Sequence, residues 1–305
     1  MISLRQHAIS IAAIFLALTL GLFLGSGFIG DKVNSATGTS RDRIGDLESE
    51  RDKLNAQVNA GNGFVAAVSP QLLANKLNGT SVIVVTAPNA ADGDVAAVKE
   101  ALNAGGAKFA GQIGLTDELL KDQSAEKLRS IIDQSIPAGG SLRPELTDSG
   151  GRVGDLLGAL TLGATGTVAA SRNDVVNGLS ALREGGYITY TDNAIGSGKA
   201  VVVVTGDAYG TDSGAQGQLT ANLAAAMARR SGAGILVGRT GSAEGGSPIA
   251  VVRSDPSLSN EISTVDNVDV QMGRVTTVLA LSTDLRGKPG AYGTGPGARS
   301  ITPGA

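Results

Sequence analysis

Twenty-three consecutive residues, Ala8 to Gly30 (AISIAAIFLALTLGLFLGSGFIG), carry no ionisable side chain, and nothing else in the chain narrows its folding options as much. As a helix the stretch would run ~35 Å at ~1.5 Å per residue, enough to cross a hydrocarbon core of ~30 Å. It reads as a retained membrane anchor, because the apolar region of a cleaved signal is usually only ~7–15 residues long. Gly25, Ser26 and Gly27 leave cleavage open, and either way the segment sends the chain to export. Arg5 precedes the span whereas Lys32, Arg41 and Arg43 follow it, so the basic residues do not favour an inside N-terminus. The short leading tail nevertheless resembles that of an uncleaved signal anchor, which places the bulk of the chain outside. Gly21 and Gly25 have the small-xxx-small spacing that lets two membrane helices approach, although glycine is common in such helices without an interface.

After the anchor the character changes. From Asp31 to Ala60 eleven of thirty residues are charged, and Ile44, Leu47, Leu54 and Val58 fall at a/d spacing with Arg51 on the same seam. Residues 31–63 therefore read as a charged helical stalk, either a short parallel coiled coil joining two copies or a merely solvated helix. Gly61-Asn62-Gly63 is expected to break that helix and form a hinge.

Residues 64–286 read as an exported α/β domain. The β-branched run Ser81–Thr86 leads to Asp92 and Asp94, then to a helix with Val95, Val98 and Leu102 on one face, then to a second apolar stretch from Phe109 to Thr116. The arrangement recurs: Val201–Thr205, a loop with Asp207 and Asp212, a helix carrying Leu219, Leu223 and Met227, and a second run ending at Thr240. Continuous β-branched runs are what strands buried on both faces look like, and the helices between them serve as crossovers. Two βαβ units in one mostly parallel sheet follow, ending alike in Gly114-Leu115-Thr116 and Gly238-Arg239-Thr240. Between the units, three helical patterns run through Leu128 to Ile132, Val153 to Leu160 and Val175 to Leu182, with a loop from Pro137 to Arg152. Ser247–Val252 reads as a further strand and Gln271–Asp284 as a last helix, its Met272, Val275, Val278 and Leu279 facing inward. From Gly287 onward nine of nineteen residues are glycine or proline, so 287–305 is expected to be a disordered tail.

The chemistry visible in the sequence is sparse. A site in an open α/β sheet lies beyond the carboxyl ends of the strands, which singles out Asp92, Asp94, Asp207 and Asp212 as cation ligands or acid and base. Ordinary loop and helix-start carboxylates are the simpler account of them, since no metal-ligand spacing supports a site. Gly196-Ser197-Gly198-Lys199 echoes a phosphate loop, but Ala200 stands where Ser or Thr is needed and the segment precedes a strand. Gly61-Asn62-Gly63 followed by Ala66 mimics a dinucleotide fingerprint with no strand before it. The sole histidine is His7, and cysteine is absent, so Ser-His and Cys-His acyl transfer are excluded. A carboxylate pair or Ser-Lys dyad stays open. With no catalytic or cofactor-binding residues marked, the chain reads as a non-enzyme without cofactor. A net charge of −3 gives no reason to expect nucleic acid as a partner.

The opening MISLRQHAISIAAIFLALTLGLFLG, the strands SVIVVTAP and VVVVTG, the stretch ISTVDNVDVQMGRVTTVLAL and the ending GKPGAYGTGPGA together resemble the actinobacterial MctB family, named for mycobacterial copper transport protein B. The resemblance implies a cell-envelope protein serving copper transport and resistance, with an outer-membrane pore in mycolate-bearing bacteria. Relatives linked to cell separation imply instead a single-pass adaptor controlling peptidoglycan hydrolysis through protein contacts. Partners on these readings are membrane lipid through residues 8–30, a second copy of the chain, other envelope proteins and copper. The residues sit awkwardly with the family's cargo. Copper(I) favours thiolate and thioether, copper(II) imidazole, yet Met227 and Met272 are the only exported soft ligands, both on apolar helix faces. Long alternating strands and aromatic girdles of a membrane barrel are also missing from the pattern.

Overall fold

The computed structural model describes residues 28–121, 125–163 and 170–304, with side chains from Arg43 onward. The expected anchor Ala8–Gly30 therefore lies outside the described residues except for Phe28–Gly30. Among the described residues no helix is long and apolar enough to cross a membrane. The chain divides into two units, Met1–Gly61 and Asn62–Ala305.

Helix α1, Phe28–Leu73, runs unbroken through Gly61-Asn62-Gly63, which corrects the expected hinge. A glycine costs a helix interior about 1 kcal/mol, which weakens a helix but does not forbid it. The end of α1 docks on the α/β body through Leu73, 2% exposed, followed by Leu77 at 1%, and this burial holds the last turns in place. The helix stops before Asn75, whose φ of 64° is incompatible with continuing it. Ile44, Leu47, Leu54 and Val58 are all exposed.

The body is a seven-stranded sheet between two layers of helices. The strands are β1 (Ser81–Thr86), β2 (Lys108–Leu115), β3 (Ile188–Thr189), β4 (Ala200–Val204), β5 (Gly234–Val237), β6 (Ser263–Val265) and β7 (Ala291–Tyr292). Their spatial order is β3-β2-β1-β4-β5-β6-β7, every neighbour parallel except the antiparallel pair β2–β3. This is the mostly parallel sheet that the β-branched runs imply, with β1 beside β4 in register from Val82 opposite Ala200 to Thr86 opposite Val204. Side chains alternate between faces. Ile83, Val85, Val201 and Val203 point to one core, and Val82, Val84, Val202 and Val204 to the other. Helix α2 (Asp92–Ala104) and α9 (Gln271–Asp284) cover the second face. The first carries α3 (Ala125–Gln134), α4 (Ser149–Thr161), α5 (Arg172–Glu184), α6 (Gln216–Ser231) and α7 (Pro248–Ser254). The β1–α2–β2 and β4–α6–β5 crossovers leave the sheet centre in opposite directions and lie on opposite faces, as two crossovers of one hand must.

Helix α4 packs unusually close to α6. Gly150 and Gly154 lie one turn apart, and a Cβ at either would strike the backbone of Leu219 or Leu223. That approach brings the buried Asp155 to Arg230 (2.6 Å) and to Arg143 of the preceding loop (2.8 Å). The loop expected from Pro137 to Arg152 ends at Ser149, where Asp148 caps α4 by accepting from the Gly151 N–H at 2.8 Å.

Two further expectations are overturned. Ser247–Val252 is not a strand. Pro248 opens the helix α7 at a position that needs no N–H, and the buried Ile249 and Val252, three apart, form its inner face. The 287–305 tail is not disordered over its described residues. β7 extends the sheet beside β6, and the segment is fastened by Arg253, 3% exposed at its side chain, which reaches Asp266 at 2.5 Å, the Tyr292 carbonyl at 2.7 Å and the Pro296 carbonyl at 2.8 Å. Asp266 in turn accepts from the Thr294 and Gly295 N–H groups at 2.8 and 3.0 Å. Glycine and proline here shape turns around a buried ion pair. A short helix α8, Pro256–Ser259, completes the elements.

Candidate functional site

The strand order reverses direction between β1 and β4, and an open α/β sheet holds ligands in the crevice at such a point. The loops leaving these two strands are tied together there. The Asn89 side-chain oxygen accepts from the Thr205 hydroxyl and the Gly206 N–H, each at 3.2 Å. Gly206 has to be glycine, because a Cβ would run into the Asn89 carbonyl. The Tyr209 N–H donates to the Ser247 hydroxyl at 2.9 Å, fixing the second loop to the start of α7.

Between the loops lies a crevice of about 380 Å³ whose polar lining is Asn89, Asp117, Asp207, Tyr209, Asp212, Ser213 and Gln216. Three carboxylates and no lysine or arginine line it, so its field favours a cation or a neutral hydrogen-bonding ligand over an anion. The carboxylates are exposed, which leaves water to screen them.

Of the four aspartates singled out in the sequence, the structure brings Asp207 and Asp212 to this crevice and takes Asp92 and Asp94 elsewhere. Those two occupy the first turn of α2, and Asp94, 6% exposed, lies 3.2 Å from the Arg239 guanidinium across the β5 loop. Their charges complement the helix dipole and would repel a phosphate at the α2 N-terminus, where a dinucleotide fold places one. Asp117, Asn89 and Tyr209 were not legible as site residues, since only the strand order puts the end of β2 beside the β4 loop.

The other motifs are structural. The N–H groups of Gly196, Gly198 and Lys199 donate to the carbonyls of Ala110, Thr161 and Ser81 at 2.7, 2.8 and 2.7 Å, so three of the motif's four N–H groups are spent on the fold and cannot cradle a phosphate. Gly61-Asn62-Gly63 lies within α1. A larger hollow of about 910 Å³ is lined by Arg172, Arg183, Tyr190 and Asp192. Its central charges answer each other, with Arg183 2.6 Å from Asp192 and stacked 4.5 Å over the Tyr190 ring. Residues 164–169, next to this hollow in sequence, lie outside the described residues.

As a copper site the described residues do not qualify. Among them no three His, Cys, Asp or Glu side chains are grouped to hold a metal ion. Met227 is fully buried in the core that joins α6 to the sheet. Met272 is half-buried on α9 but belongs to neither core, unlike Val275 and Val278, and His7 lies outside the described residues.

A family described as "Copper transport outer membrane protein, MctB" matches residues 1–303. The chain belongs to the MctB family. The protein named Copper transporter MctB in Mycobacterium tuberculosis is 44% identical over 313 residues, spanning 99% of each chain, and its Mycobacterium bovis namesake matches to the same extent. The Mycobacterium leprae protein of that name is 41% identical over 317 residues, again 99% of each. This MctB family member therefore presents an open sheet covered by helices on both faces. The strands, from two to eight residues long, do not close into a lipid-facing barrel over the described residues.

Proposed function

We propose that this protein serves copper transport at the cell envelope, as a membrane-tethered component that handles copper as cargo through assembly and not through a resident site in its α/β body. The observation that carries this reading is the likeness to copper transporters along 99% of both chains, anchor segment included. The physical side is the chemistry of the donor set. Buried or half-buried thioethers and scattered exposed carboxylates do not make a chelate for copper in either oxidation state. On this reading residues 8–30 hold the protein in a membrane with the body outside, and two copies meet along Ile44, Leu47, Leu54 and Val58. The names of the relatives speak of copper, and no observation on this chain favours the cell-separation adaptor.

Cellular copper in a strain lacking the protein is the test. Copper is expected to rise in the deletion strain and to return to normal with the wild-type gene. Met272→Leu, which keeps volume and removes the half-buried thioether, is expected to restore it equally well. Normal copper in the deletion strain ends the transport reading, whereas failure of Met272→Leu alone keeps transport and shows that the body ligates the metal after all.

A further inference from the structure

The closing motif GKPGAYGTGPGARS has no part in the crevice or in the transport reading, yet the fold takes trouble to hold it. The Arg253–Asp266 pair, both side chains buried, binds the segment through its carbonyls and N–H groups. Gly287 (φ 72°) and Gly297 (φ 74°) turn the chain so that it comes back beside the end of α9. The Arg299 N–H then donates to the Ala291 carbonyl at 2.8 Å, which sets Arg299 alongside β7.

What this builds is a hollow of about 440 Å³ into which Arg286, Lys288 and Arg299 all face, with Thr283, Tyr292 and Ser300 as its hydroxyl lining. No aspartate or glutamate lines it. Among the described residues none of the three cations has a carboxylate partner: Arg286 donates only to the Ser282 and Thr283 hydroxyls, at 3.3 and 3.1 Å. Arg286 and Lys288 follow the last turn of α9, where a cation offsets the helix dipole, but that reason does not extend to Arg299, which comes from the far side of the closing turn. The three cations are exposed and line one hollow, so water screens their mutual repulsion in part and an anion between them would offset the rest.

The geometry points to an oxyanion site in this hollow, one that takes a phosphoryl group, with the two guanidinium forks of Arg286 and Arg299 on its oxygens and Lys288 as a point charge. The group can come from a soluble phosphate or from the headgroup of an anionic phospholipid. The site is separate from the copper reading and stands or falls without it.

The test uses the full-length chain in nanodiscs of phosphatidylcholine, titrated by calorimetry with inorganic phosphate and with glycerol phosphate. Saturable binding at millimolar or lower concentration is expected. Arg286→Gln and Arg299→Gln should each weaken it about tenfold, and Arg129→Gln, an exposed arginine on α3, should leave it unchanged. Thermal denaturation without ligand checks that the variants fold, and Lys288→Gln supplies a third variant should either arginine change destabilise the closing segment. The same titration in phosphatidylglycerol nanodiscs separates the sources: a lipid headgroup in the hollow suppresses phosphate binding there, and equal binding in both discs assigns the site to soluble phosphate. Absence of saturable binding in both kinds of disc, or binding that survives the arginine changes, overturns the proposal.

Discussion

The surroundings of Asp155 and of Asp284 pose the same problem, a carboxylate buried to 0% and 3% exposure, and solve it differently. Around Asp155, burial pushes the pKa up, but the hydrogen bond from Arg230, the Arg143 N–H and the charges of both arginines outweigh it, so the carboxyl sits below its usual range. Around Asp284, burial also pushes up, and only the N–H groups of Gly234 and Ser263 with the Ser263 hydroxyl pull back, so the pKa rises to about 6. The first region is a clamp in which one carboxylate ties α4, α6 and the loop through Arg143 together, with Arg143 and Arg230 also donating to the Ala226 and Ser141 carbonyls at 2.8 and 2.6 Å. The second is a polar group buried at the end of α9 against β5 and β6, with neutral donors alone. Cations converging on a buried carboxylate offset its desolvation and make each partner costly to remove, whereas neutral donors leave the charge largely uncompensated.

Removing the clamp should have the largest effect. Asp155→Ala strands two guanidiniums that are 18% and 19% exposed at their side chains. Loss of one partner of a buried pair costs about 3–5 kcal/mol, read as a lowered denaturation midpoint of the full chain. A loss no larger than that of an exposed pair, under about 1 kcal/mol, would erase the contrast between the two regions. The pH dependence of this contribution follows from the lowered pKa: it is present above the ordinary carboxylate range and disappears as pH falls through the folded-state value.

Asp284 should behave in the opposite sense. Its folded-state pKa of about 6 lies above the unfolded value of 3.8, so the native protein holds the extra proton between them. Stability linked to this group is complete below the unfolded value and is lost as pH rises through about 6, a difference on the order of 3 kcal/mol by neutral pH. Asp284→Asn cannot ionise and keeps an acceptor for the Gly234 N–H. Its stability relative to the parent should climb by about that amount from pH ~4 to ~7 in parallel denaturant titrations. A constant difference across that window would mean that the ionised carboxylate is comfortable where it lies.

What separates the two regions also separates what could be read in the sequence from what could not. β1, β4 and β5 are legible because strands covered on both faces must be apolar throughout, and SVIVVT, AVVVV and GILV can hardly be anything else. Gln271–Asp284 shows itself through helical spacing of Val275 and Val278, both buried. β3, β6 and β7 have two or three residues each, too few to carry a period. Val251 and Val252 made α7 look like a strand, although the Ser247-Pro248 pair at its start carried the helix signal. The closing segment was illegible for a deeper reason: its order comes from Arg253 and Asp266, and no local composition reports a partner more than twenty-five residues away. In the crevice, Asp207 and Asp212 could be placed from the strand–loop–helix pattern. Asp117 and Asn89 needed the strand order.

The smallest expected effect is the one that isolates why Asp284 is tolerated at all. Ser263 is fully buried on β6, and its hydroxyl both hydrogen-bonds the Asp284 carboxyl and accepts from the Gly290 N–H at 3.1 Å. Ser263→Ala removes both. The Gly290 N–H loses its acceptor whatever the state of Asp284, which lowers stability equally at every pH. The bond to Asp284 matters most when the carboxyl is ionised, so its loss should push the Asp284 pKa further above 6 and deepen the deficit at neutral pH by about 1 kcal/mol relative to acid. The quantity to measure is thus the change in the Ser263→Ala deficit between pH ~4 and ~7, with Asp284→Asn as the background in which that change should vanish. A pH-dependent deficit that persists in the Asp284→Asn background would assign it to some other titrating group, and the Ser263 hydroxyl would then have no part in keeping the Asp284 charge.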